Sequence, residues 1–71
     1  MDLLAQLGGG GIVAIEVKAS SAPTPDDARH LATLRHRAGE SFVAGVVFHA
    51  GPRAYSLGAG IVAAPITALW A

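Results

Sequence analysis

A chain of 71 residues holds one small domain at most, since folding at this length buries only ~60% of the unfolded surface. Charged residues are 14% of the sequence and the formal net charge is zero, against roughly 25% charged in ordinary soluble domains. No overall field therefore draws in nucleic acid, and the absence of cysteine excludes disulfides, thiolate nucleophiles and cysteine-ligated zinc together.

So little charge leaves too little polar surface to cover a small globule. The expectation is a partner, either a second copy or a missing part of the same protein. No basic region precedes an apolar run at the N-terminus, which argues against a secretory signal and for a cytoplasmic protein.

In chain order, Leu3 to Leu7 and Ile12 to Lys18 flank four glycines, Gly8 to Gly11, a pattern that predicts a β-hairpin. Ile12 to Val17 is rich in β-branched residues and apolar on both faces until Glu16, as in a strand central to its sheet. Ala19 to Pro23 is a connector. Thr24 as N-cap, Pro25 at the first position and Asp26 and Asp27 in the first turn start a helix. Ala28, Leu31, Leu34 and Ala38 form its apolar stripe, and Gly39 ends it. The helix thus spans about Pro25 to Ala38.

Phe42 to Phe48 is a second buried strand. Strand, helix and strand make a right-handed crossover with parallel strands. Gly51-Pro52 turns the chain, Ala54 to Leu57 is a short edge strand, and Ile61 to Ala64 another extended piece. Pro65 starts a last turn of helix carrying Leu69 and Trp70. The uncharged run Ala54 to Ala71 approaches the ~20 residues of a membrane span, but Gly58, Gly60, Pro65 and its alanines place it in buried structure. Ile61, Val62, Ile66 and Trp70 are the expected contact surface with a partner. The fold class is α/β, a mixed sheet with a β-hairpin, one crossover helix and a parallel strand, in a single domain over 1–71.

Glu16-Val17-Lys18 carries the chemistry. Residues two apart on a strand share a face, so Glu16 and Lys18 project together near the edge where parallel strands place their sites. A hairpin loop with an odd number of residues puts Asp2 opposite Glu16 or Lys18, with Leu4 and Gln6 on that face. Leu3, Ala5, Leu7, Val13, Ile15 and Val17 then form an apolar opposite face, the split that a one-sided core demands. Asp2 and Glu16 together make a hard-oxygen site suited to Mg²⁺ or Mn²⁺, with Lys18 at an attacking water. The bland alternative is a Glu16–Lys18 ion pair at a strand end.

Asp2-Leu3-Leu4, the glycine hairpin and Ile15-Glu16-Val17-Lys18-Ala19-Ser20 resemble two motifs of the PD-(D/E)XK nuclease superfamily. Leu31-x-x-Leu34, Phe42-x-x-Gly45-Val46-Val47 and Pro65-Ile66-x-x-Leu69-Trp70 extend the likeness. It is similar to the C-terminal nuclease-like domain of uncharacterised prokaryotic AAA-type ATPases. The resemblance implies a restriction-endonuclease-like core lacking its first helix, without the ATPase module. It also implies Asp2 and Glu16 as metal-binding acids, Lys18 as the motif lysine, Mg²⁺ or Mn²⁺ as cofactor and DNA as substrate. The alternatives are a non-catalytic DNA-binding or docking domain and a small dimerising structural protein. Gly8 to Gly11 is no phosphate loop, because no Lys-Ser/Thr follows it.

Arg29, His30 and His49 are the candidates for phosphate contact. For Arg35, His36 and Arg37 the simpler role is to offset the negative end of the helix dipole. For His49 it is to cap a strand end or face solvent.

Overall fold

The computed structural model describes residues 2–70, with side chains for residues 3–69. It is a mixed five-stranded sheet with one helix. The strands are β1 (Asp2–Gln6), β2 (Ile12–Val17), β3 (Phe42–His49), β4 (Tyr55–Gly58) and β5 (Ile61–Pro65), in the spatial order β1-β2-β3-β5-β4. β1 pairs antiparallel with β2, β2 and β5 each pair parallel with β3, and β4 closes the sheet antiparallel to β5.

The expected hairpin forms with the expected parity. Gln6 pairs with Ile12, so five residues make the loop, held by Leu7 N–H donating to Gly11 O at 2.7 Å and Gly10 N–H to Leu7 O at 2.9 Å. Between β2 and β3 the chain makes a 3₁₀ turn, Pro25–Ala28, and then helix α1, Arg29–Ala38. The predicted single helix therefore begins with a tighter first turn. Asp27 locks that start: its Oδ2 accepts from the Thr24 N–H at 2.7 Å and from the Thr24 hydroxyl at 3.2 Å. At the other end Gly39 takes φ +56°, which a side chain would resist.

The Thr24 N–H above all, helped by the Thr24 hydroxyl and the Lys18 ammonium, holds the Asp27 carboxyl below its ordinary 3.8. A depressed folded pKa means stabilisation that is present above the unfolded value and lost as pH falls through the folded one. Asp27→Asn should therefore melt lower than wild type near neutral pH. The difference should shrink below pH 3.8, as paired melts across pH 2–7 would reveal. A constant difference over that range would contradict the assignment.

The core lies between α1 and one face of the sheet. It comprises Ala14, Ala28, Leu31, Val47, Leu57, Ile61 and Ala63, with Leu34, Phe42 and Tyr55 packed against it. Leu31 reaches the backbone of Gly45, where a Cβ would stand 3.3 Å from its methyl, which puts α1 on the Gly45 side. Every buried residue of the five strands lies on that side.

This reverses one expectation. Leu3, Ala5, Val13, Ile15 and Val17 do share a face, but that face is not the core. None of its described residues is buried, nor are Val46, Phe48, Val62 and Ala64 beside them. The core side is the one that carries Ala14, Glu16 and His49. Small Ala14 and Gly45 let α1 approach the sheet there, while the branched residues opposite stand proud.

The expected partner surface is corrected too. Ile61 is fully buried, pairing with Gly45 inside the sheet, and Val62 is 45% exposed on the opposite face. Ile66 is half-buried, and the Trp70 side chain lies outside the described residues. The last segment, Ile66–Trp70, is a 3₁₀ turn. Among the described residues no helix is long and apolar enough to cross a membrane.

Candidate active site

Beyond β2 and β3 the two chains stay together: Lys18 N–H donates to Phe48 O at 2.8 Å, and Ala50 N–H to Ser20 O at 3.0 Å. The C-terminal ends of two parallel strands are thus held side by side, which is where sheets of this kind place ligands. Glu16 sits there on the core side, opposite Val47 on β3 and opposite Asp2 on β1. Directly opposed positions share a face of the sheet, so the register places position 2 with position 16. The Asp2 side chain itself lies outside the described residues.

Glu16 is only 5% exposed. Its Oε1 stands 3.6 Å from Lys18 Nζ, and Lys18 keeps 37% of its side-chain surface in solvent. The structure therefore joins Glu16 and Lys18. Glu16 Oε2 is buried and has no hydrogen-bond partner among the described residues. A buried charge with half its lone pairs unanswered costs several kcal/mol, roughly, unless something answers them.

Lys18 also opens onto a cavity of about 370 Å³ lined by Asp26, Asp27, Arg29 and His30. Arg29 and His30 are exposed there, but Arg29 Nη2 is engaged with Asp26 Oδ1 at 3.2 Å. An exposed pair of this kind is worth little, so Arg29 can exchange its partner. The two acids beside Lys18 were not among the expected site residues. Their value as helix-start residues masked their proximity to the strand end. Arg35 plays another part, with Nη1 donating to Ala59 O at 2.6 Å to tie the helix to the β4–β5 turn.

His49 is 1% exposed, which leaves it no surface to offer a phosphate in solvent and corrects the expectation of a solvent-facing ring. Its capping role is real: Nδ1 accepts from the Gly51 N–H at 3.0 Å. That bond fixes the neutral ring's proton on Nε2. Nε2 is itself buried and has no partner among the described residues.

The donor set suits a small hard cation in part. Glu16 Oε2 is an unanswered carboxylate oxygen, and a second carboxylate-bearing residue stands opposite in register. His49 does not belong to that set, because an Nε2 that carries a proton has no lone pair for a metal. Among the described residues no group of three or more His, Cys, Asp or Glu side chains is placed to hold a metal.

A family profile described as a domain of unknown function, DUF4143, matches residues 1–69. No curated protein and no solved structure matches the chain.

Proposed function

The chain belongs to the DUF4143 family, and we propose that it is a nuclease-like domain whose strand-end acids hold Mg²⁺ or Mn²⁺ against a DNA phosphodiester. The observation that carries this reading is the buried, half-satisfied Glu16 carboxylate, opposite Asp2 in register and paired with Lys18. A divalent cation there would polarise a phosphoryl oxygen and stabilise the leaving alkoxide. Asp2 and Glu16 would hold that charge, while Lys18 orients the attacking water and Arg29 and His30 contact the phosphate from the rim of the cavity. By its resemblance the domain would be the C-terminal part of an AAA-type ATPase. A cleavage assay on plasmid and single-stranded DNA with millimolar Mn²⁺ tests the proposal. Nicking that Glu16→Ala and Lys18→Ala both abolish supports it, and activity equal in all three proteins rejects it.

One observation favours a second reading, a docking domain without catalysis. The sheet face away from α1 is apolar apart from Ser56 on its β4 edge and carries no charged residue among those described, with Leu3 54% exposed. Parallel strands are usually covered on both faces, so this face is suited to a second layer. Self-association through it is the expected behaviour of the isolated chain. Light scattering should find dimers or larger species at high concentration, and Val62→Lys, on an already exposed position, should shift them toward monomer. A concentrated wild type that stays monomeric, or association indifferent to Val62→Lys, would remove this face from consideration.

A further inference from the structure

Two buried polar atoms lack partners among the described residues, and they are neighbours. Glu16 pairs with Val47, and His49 lies two residues further along β3 on the same face. With strands ~4.8 Å apart and a rise of ~3.3 Å per residue, the two backbones are about 8 Å apart on the diagonal, within reach of two long side chains. Their chemistry is complementary. Glu16 Oε2 can only accept when ionised, and His49 Nε2–H, fixed in that tautomer by the Gly51 N–H on Nδ1, can only donate. A buried polar group left without a partner is costly, so a link between them relieves two penalties at once.

We infer that His49 is the positioning residue for Glu16, its Nε2–H linked through one bridging water to Oε2. One lone pair of Oε2 is then engaged, and the carboxylate is held with Oε1 toward Lys18 and its remaining lone pairs toward position 2. Carboxylates that ligate metals are themselves oriented by such hydrogen bonds, and loss of the orienting group typically weakens the metal by ~10–100-fold. The metal consequence rests on the proposed function, whereas the His49–Glu16 link does not.

Two substitutions separate positioning from capping. An asparagine at 49 can still accept the N–H two residues on, but cannot reach toward Glu16. A glutamine places an amide donor near the Nε2 position and loses the cap. In Mn²⁺ titrations His49→Asn should bind at least about tenfold more weakly than wild type, with His49→Gln much closer to wild type although its melting temperature falls. Equal affinity in wild type and His49→Asn overturns the positioning role. If wild type binds no Mn²⁺, the metal reading fails by itself, and imidazole nitrogen–proton spectra decide the rest. A slowly exchanging Nε2-bound proton on His49 that moves in Glu16→Gln upholds the link, and one indifferent to that substitution overturns it.

Discussion

Gly51→Ala should lower the melting temperature by roughly 10 °C or more, while Gly8→Ala leaves it nearly unchanged. A Cβ at position 51 would collide with the Ser21 carbonyl oxygen and crowd His49 Nδ1 at 3.1 Å, whereas at position 8 nothing lies within 4 Å. The obstacle at 51 is backbone, so no side-chain rotation relieves it. Overpacking of this kind costs typically ~1–3 kcal/mol and occasionally more. Each kcal/mol is worth about 4–8 °C in a domain this small. The loss is large against a total stability of roughly 4–10 kcal/mol at this length. It also strikes the site, because the close approach of Gly51 to Ser21 continues the pairing that begins at Lys18 and Phe48. Thermal melts of the two variants side by side measure the effect, and comparable small shifts in both would show that the strand ends are not in such close contact.

Neither that contact nor the side on which the core forms could be read from the residues, though much else could. The hairpin register was legible because a one-residue slip would mix apolar and polar positions on β1 and β2, and Asp2 does pair with Glu16. The helix was legible from Thr24, Pro25 and the Ala28–Leu31–Leu34–Ala38 stripe. The core's side was not, since β2 offers an apolar set on each face and hydrophobicity alone favours the bulkier one. The deciding factor was size: α1 needs small residues beneath it, and Ala14 and Gly45 supply them, bringing Glu16 and His49 into the interior. The place of β5 inside the sheet was equally hidden. Ile61 to Ala64 reads locally like any short strand, and its insertion between β3 and β4 depends on long-range pairing. His49 looked like a strand-end residue at the surface because nothing near it in sequence announces that the Tyr55 ring stands 5.8 Å from its own or that Pro65 pairs beside it on β5.

Millimolar Mn²⁺ should raise the melting temperature of the wild type, and Glu16→Gln should not respond. Without a cation, Glu16 Oε2 is a buried carboxylate oxygen with no donor among the described residues, and Lys18 stands beside Oε1, from a partly solvated position. A cation that binds this arrangement and not the unfolded chain stabilises by mass action, about 1.4 kcal/mol at tenfold excess over its dissociation constant. At roughly 4–8 °C per kcal/mol, the shift is about 6–11 °C. Glu16→Gln keeps the shape and removes the charge, so it should melt no lower than metal-free wild type yet gain nothing from Mn²⁺. Asp2→Asn should blunt the gain if the residue opposite in register supplies the second oxygen. Lys18→Ala separates binding from chemistry: it leaves Glu16 less compensated, so the metal-free variant should melt lower, while its gain from Mn²⁺ is at least as large and any cleavage is lost. Equal shifts in wild type and Glu16→Gln, or none in either, would reduce Glu16 and Lys18 to an ion pair that closes a strand end.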